Sequence, residues 1–216
     1  RNKNLQQLQV LKFPTDYSLT QICEVSLPNL KSLAGVYVDV TYEASSIPKL
    51  MTTAPNLQHL EISLRDDWIY VTYNSCERHP HRPWALGQYD WPSDTDKLTS
   101  VQSLKVTDET EYYEDILPIF LGHFPNLNAL QIRNDTDFSL YLGTGVSTTP
   151  HRLPTLTASN LVVLHLEDIS KSFSEDFIKT LLIDLKCLRI LHLSLNDKYE
   201  TLIEPSDSFV SCLLGS

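Results

Sequence analysis

The sequence has few of the features that mark membrane-spanning, secreted or nucleic-acid-binding proteins. No apolar run in its 216 residues exceeds four, whereas a membrane-spanning helix needs roughly 20 apolar residues. The first four residues are polar, and no apolar stretch of a signal peptide follows them. Lysine and arginine number 17 against 27 acidic residues, a balance that disfavours binding to a phosphate backbone. We therefore expect a cytoplasmic or nuclear chain that binds neither membrane nor nucleic acid.

Signatures of catalysis and cofactor binding are also missing from the sequence. The cysteines form no CxxC pair, and they are Cys23, Cys76, Cys187 and Cys212. In a chain of this length such spacing favours free thiols in a reducing compartment. There is no HExxH, no Walker A motif and no Gly-x-Ser-x-Gly. We expect a protein that is not an enzyme and that needs no cofactor.

Leucine, by contrast, is abundant, with 35 residues in 216, while glycine numbers 6 and methionine 1. A phrase of the form apolar-x-x-apolar-x-apolar recurs seven times, often directly after asparagine. Its copies begin at Leu5, Leu30, Leu57, Val101, Leu127, Leu161 and Leu188. Four of the six spacings fall between 25 and 27 residues, and the other two are 44 and 34. The period lies in the range of leucine-rich repeats.

The alternation within the phrase predicts a strand with its leucines on one face and the intervening residues on the other. One such strand cannot bury its apolar face alone, but seven stacked in parallel can. We therefore predict an α/β leucine-rich repeat solenoid of about seven degenerate repeats, with a parallel concave sheet and helices on the convex side. Residues 1–216 would form one domain with loop insertions at 66–97 and 134–159. The missing initiator methionine and polar caps favour the C-terminal part of a longer protein.

Helical periodicity fills several of the intervals between copies. The spacing predicts helices at 172–186 and 114–123, and weaker ones at 15–26 and 45–54. Proline precedes the Asn-Leu of the next phrase at three positions, Pro28, Pro55 and Pro125, where it would end a helix. The asparagine of regular repeats, expected three positions after the last apolar residue, occurs only as Asn196. We therefore expect irregular turns after the strands.

The longer insertion, 66–97, concentrates the aromatic residues and carries a short Cys/His run. All three tryptophans lie in it, and the candidate partner-binding aromatics are Trp68, Tyr70, Trp84 and Trp91. Such residues either hold a long loop against the sheet or anchor a protein partner. The Cys/His run consists of Cys76, His79 and His81. It lacks the fourth ligand of a zinc site, so we assign no metal site.

The alternation also predicts which side chains face away from the core. The residues between the second and third apolar positions are Gln9, Ala34, Glu61, Lys105, Gln131, His165 and His192. The residues two positions before these should also face away from the core, and they run from Gln7 in the first copy to Ile190 in the last. The residues two positions after them should do the same and include Arg133 and Glu167. His165 and His192 should be neighbours on adjacent strands. We expect a protein partner on this face and on loops at its rim, since both insertions follow strand ends.

The style of the repeat, a helix followed by Pro-Asn-Leu and a short strand, resembles the repeat region of F-box proteins, including fungal ones. Asn-Leu-Gln-His-Leu-Glu-Ile from Asn56 and Asn-Leu-Asn-Ala-Leu-Gln-Ile from Asn126 carry the resemblance. It implies a repeat region that holds the protein to be ubiquitinated, while an F-box, absent from this chain, docks the ubiquitin-ligase adaptor. The alternatives are a repeat scaffold outside the ubiquitin system and a metal-dependent enzyme built on the 66–97 insertion.

Overall fold

In the part of the chain that the structure describes, seven parallel strands form one sheet in which spatial order equals sequence order. The computed structural model describes residues 5–39, 46–65, 97–108, 120–134, 159–169 and 185–195. The strands are β1 (Val10–Ser18), β2 (Ser32–Asp39), β3 (His59–Arg65), β4 (Ser103–Asp108), β5 (Ala129–Asn134), β6 (Val163–Ile169) and β7 (Ile190–Leu195). Within these ranges the helices are a 3-10 helix at Leu5–Gln7, α1 at Leu19–Ile22 and α2 at Ser46–Thr53, and residues 120–121 and 159–160 are also helical. None of these helices is long and apolar enough to cross a membrane.

The recurring phrases lie side by side in this sheet, as the sequence predicts for copies two to seven. The second apolar position forms a continuous row of cross-strand partners: Leu33, Leu60, Leu104, Leu130, Leu164 and Leu191. The third position forms a second row from Ile62 through Val106 and Ile132 to Leu166. From β2 to β6 the residues of both rows are almost fully buried. The predicted in–out alternation is therefore confirmed for β3 to β6, whereas β2 departs from it after Ala34.

The predicted position of the first copy is wrong by three residues. Leu11, not Leu8, pairs with Leu33, and Lys12, not Gln9, pairs with Ala34. Leu5 instead closes a turn with Leu8. Leucines at 5, 8 and 11 share the spacing of the phrase, so periodicity alone fits both alignments, and pairing with β2 selects the later one. Gln7 and Gln9 consequently leave the outward rows.

A turn of recurring form precedes β1, β2, β3, β4 and β7, and we call it the pre-strand turn. It is closed by a backbone N–H that donates to the carbonyl three residues earlier, for example Leu30 to Leu27 and Leu57 to Ala54. In the turns before β2 and β3 the two central residues are Pro and Asn, and proline favours the first central position of a type I turn. These prolines thus shape the turn rather than end a helix, because α1 and α2 end at Ile22 and Thr53, before the turns begin.

Asparagines directly before the first apolar position of four copies link each of these copies to the one before it. Asn29, Asn56, Asn126 and Asn160 donate their side-chain amides to the carbonyls of Gln6, Pro28, Thr99 and Pro125, respectively, at 2.7–3.3 Å. In each pair the acceptor lies one residue before the position equivalent to the donor. An asparagine ladder is therefore present before the strands. Asn196 and the turns that follow the strands lie outside the described residues.

Backbone carbonyls repeat the same arrangement at the start of every strand pair. Each accepts two consecutive N–H groups from the next copy, as when Gln58 receives those of Gln102 and Ser103. The six acceptors are Gln9, Lys31, Gln58, Gln102, Asn128 and Val162. Because backbone groups make these contacts, the spacing of neighbouring copies is set independently of their side chains.

One hydrophobic core runs beneath the sheet and joins all the described copies, from Leu19 to Leu185. The helix predicted at 45–54 is confirmed as α2, which buries Ile47 and Leu50. The helix predicted at 15–26 is wrong except for α1, because β1 extends to Ser18 before the chain turns. Most of 114–123 and 172–186 lies outside the described residues.

Candidate protein-docking face

The side of the sheet that points away from the core carries three rows of side chains, which we call the open face. Row one is Val10, Ser32, His59, Ser103, Ala129, Val163 and Ile190. Row two is Lys12, Ala34, Glu61, Lys105, Gln131, His165 and His192. Row three is Tyr37, Ser63, Thr107, Arg133 and Glu167. The structure thus places all seven sequence-predicted strand candidates on one surface.

Charges at the centre of the open face neutralise each other across strands. Lys105 Nζ lies 3.0 Å from Glu61 Oε1, and both side chains are more than a third exposed. The two residues are direct cross-strand partners of β3 and β4, so the ion pair needs little rearrangement of either backbone. Pairs this exposed contribute at most about 1 kcal/mol. Its main effect is to hold two long side chains in one orientation.

A hydrogen bond crosses the face diagonally between β5 and β6. Gln131 Nε2 donates to Glu167 Oε1 at 2.7 Å. The cross-strand partners of these residues are His165 for Gln131 and Arg133 for Glu167. The carboxylate of Glu167 therefore lies between a cationic strand neighbour and an amide donor. The hydrogen bond from Gln131 holds this carboxylate in place on the sheet.

The two histidines of row two are in ring contact, which confirms the prediction that they are neighbours. The ring centroids of His165 and His192 are 4.8 Å apart, and their planes are tilted by 48°. His165 is partly buried and His192 is exposed. Each ring brings at least one N–H donor to a polar surface. The described residues contain no group of three or more His, Cys, Asp or Glu that could hold a metal ion.

Beside the histidines, row one becomes apolar. Ala129, Val163 and Ile190 are consecutive cross-strand partners on β5, β6 and β7. Ile190 is 53% exposed, although isoleucine is among the residue types most often buried. At the other end of the row Val10 is 63% exposed, but its cross-strand partner is Ser32. The extended apolar row therefore lies at the β5–β7 end.

Sequence reasoning missed a cation–π contact at the N-terminal end of the open face. The guanidinium of Arg65 lies 5.0 Å from the ring centre of Tyr37, a cation–π distance. Nearby, Phe13 stacks on Tyr17 at 4.7 Å, but Phe13 packs against the core rather than on this face. Strict alternation does not place Tyr37 on this face, because β2 contains an additional residue between Leu33 and Val36. The signal was Gly35, the glycine that interrupts the second phrase.

The remaining sequence-predicted candidates lie outside the described residues. They are Trp68, Tyr70, Trp84, Trp91, Cys76, His79 and His81. The strands that precede the two insertions do lie in the described region: β3 ends at Arg65 and β5 ends at Asn134. Since the strands are parallel, these two strand ends lie at the same edge of the sheet, about 10 Å apart at two strand spacings.

The open face thus offers a pre-positioned polar surface with one apolar row. The ion pair, the hydrogen bond from Gln131 to Glu167 and the histidine contact all hold side chains in place across strands. Such an arrangement suits the binding of a partner. Comparison of this chain with protein-family models, with curated proteins and with solved structures finds no match.

Proposed function

We propose that this chain is a protein-recognition module of the leucine-rich repeat type and that its open face holds a protein partner. The observation that carries the proposal is the register of the seven strands. Because equivalent residues of each copy align across the sheet, the side chains that face away from the core form continuous rows. A surface ordered in this way presents many side chains to a partner without the entropy cost of first ordering them.

The resemblance to F-box repeat regions extends the proposal to the ubiquitin system. On this reading the chain is the substrate-binding repeat region of an F-box-type adaptor subunit, and its partner is a protein to be ubiquitinated. The Asn-Leu phrases that carry the resemblance are those of β3 and β5, the strands that precede the two insertions. The alternative within the same class is a repeat scaffold that works outside the ubiquitin system.

Two experiments on the full-length protein test the two levels of this proposal. Photo-crosslinking from benzoylphenylalanine at position 131, on the open face, should yield discrete protein adducts. The same probe at Thr52, exposed on α2, should not yield them. Adducts that form equally from both positions would refute the open face as the binding surface.

The ubiquitin-ligase assignment requires a separate result. Affinity purification of the full-length protein from its own cells should recover a ubiquitin-ligase adaptor in stoichiometric amount. Recovery of crosslinked partners without the adaptor would leave the recognition module in place and favour the scaffold alternative.

A further inference from the structure

The β5–β7 end of the open face differs in chemistry from the rest, and we call it the β5–β7 patch. It consists of the apolar row Ala129, Val163 and Ile190 and the adjacent polar row Gln131, His165 and His192. The apolar row continues over three strands, whereas Val10 at the opposite end is followed by Ser32. A protein segment laid across the strands could therefore bury several apolar side chains here.

The charges around this patch contrast with those of the whole chain. The described residues 127–134, 159–169 and 185–195 contain three cationic residues, Arg133, Lys186 and Arg189, and two acidic ones. In the whole chain, acidic residues outnumber cationic ones by 27 to 17. One of the two local carboxylates, Glu167, already accepts a hydrogen bond from Gln131. Among the described residues at this end of the sheet, cations thus outnumber carboxylates by one, with Arg133 on the open face and Lys186 and Arg189 directly before β7.

The histidine pair adds directional donors to this positive charge. His192 is exposed and its ring contacts that of His165, and the two histidines form the row next to Val163 and Ile190. A carboxylate accepts hydrogen bonds only, and it gains more from N–H donors near cationic groups than from neutral surroundings. Imidazole rings are also rigid, which limits the rotamer entropy that binding removes.

We infer that the β5–β7 patch binds an acidic protein segment that carries apolar side chains, with the apolar groups on Val163 and Ile190 and the carboxylates at the histidines. This inference rests on the proposed function, since it specifies the partner of the same face. Charge complementarity selects the acidic segment, because a basic one would meet the cations Arg133, Lys186 and Arg189. A purely polar acidic segment would leave the apolar row exposed to water.

Synthetic peptides test this inference directly on the full chain. Fluorescein-labelled decapeptides of alternating Glu-Leu, Lys-Leu and Glu-Ser are titrated with the protein, and binding is followed by fluorescence anisotropy. The Glu-Leu peptide should bind at least about tenfold more tightly than either of the others. Equal affinity for Glu-Leu and Lys-Leu, or absence of Glu-Leu binding, would overturn the inference.

Matched variants locate the binding site. Ile190→Ser should weaken Glu-Leu binding about tenfold, whereas Val10→Ser, in the same row at the opposite end, should leave it unchanged. His165→Gln combined with His192→Gln should weaken binding, and the control His59→Gln, on β3 of the same face, should not. If the controls weaken binding as much as the patch variants, the patch is not the site.

The crosslinking experiment separates this inference from the proposed function. Protein adducts from position 131 without Glu-Leu binding would refute the inference that the partner segment is acidic, and the proposed docking face would stand. Loss of both the adducts and the peptide binding would refute the open face as a docking surface. All variants change exposed or half-exposed side chains, and circular dichroism checks that each one folds.

Discussion

Leu130 and Gln131 are neighbours in the chain but face opposite sides of β5. Leu130 is 1% exposed in the core, whereas Gln131 lies partly exposed on the open face. Leu130→Ala should lower the free energy of unfolding by about 2–5 kcal/mol, because it removes buried methyl groups and leaves a cavity. Gln131→Ala should cost less than about 1 kcal/mol. Urea denaturation of both variants measures the difference, and equal costs would contradict the orientation of β5.

Gly35 occupies a backbone position that other residues rarely adopt. Its φ is +71°, and a Cβ at this position would lie 2.4 Å from the carbonyl oxygen of Phe13. Gly35→Ala should therefore cost more than the 1–2 kcal/mol or so of the left-handed conformation alone. The obstructing atom belongs to the backbone of β1, so relief requires the separation of β1 from β2.

The matched control for this variant is Ala34→Ser on the adjacent, partly exposed residue. It should change the free energy of unfolding by less than about 0.5 kcal/mol, measured in the same urea series. A Gly35→Ala variant as stable as Ala34→Ser would show that β2 lacks the bulge.

At the scale of elements, the pre-strand turn is the unit that stacks. Before β4 and β7, the position of the linking asparagine is occupied by Ser100 and Cys187, respectively. Asn126→Ala should lower the free energy of unfolding by about 1 kcal/mol, because the carbonyl of Thr99 loses the hydrogen bond that the Asn126 amide donates to it. Ser100→Asn should add about 0.5–1 kcal/mol, because its amide would reach the equivalent carbonyl of Pro55.

Denaturant melts of these two variants, with Asn128→Ala as the matched control, measure the contribution of the ladder. Asn128 is also exposed and lies two residues after Asn126, so its loss should change stability by less than about 0.5 kcal/mol. The ladder has no energetic role if Asn126→Ala and Asn128→Ala cost the same.

The elements show which structural features the sequence could predict. The phrases of β3 to β7 were placed correctly because leucine, and the valine or isoleucine that replaces it, recurs at one spacing. The phrase of β1 was misplaced because three leucines three residues apart fit two alignments equally well. The asparagine ladder before the strands was not predicted; the sequence indicated only that the asparagine of regular repeats is mostly missing after the strands. A sequence pattern shows which residues recur and not which carbonyl they reach.

On the scale of the whole molecule, each described strand pairs only with its sequence neighbours. Buried leucines line the central strands, whereas Leu8, Leu11, Leu191 and Leu193 at the two ends are only partly buried. Opening should therefore begin at the ends of the sheet, because β1 and β7 each have one neighbouring strand in the described region. Amide hydrogen exchange should be slowest in β3, β4 and β5.

Mass spectrometry of peptic fragments measures this exchange at the resolution of single strands. Protection of β1 or β7 equal to that of β4 would show that the sheet opens as one cooperative unit. Fragments from β3 and β5, which have similar burial, serve as internal references for the central strands.

The sequence by itself determined the period, the face that is buried and the candidate residues of rows two and three, because these depend on local alternation and on the hydrophobic effect. Only the tertiary structure decided the alignment of β1, the bulge at Gly35 and the partners of the open-face side chains. These features depend on hydrogen bonds and contacts between strands that are 20 to 45 residues apart, and a local pattern contains no information about the neighbour that completes them.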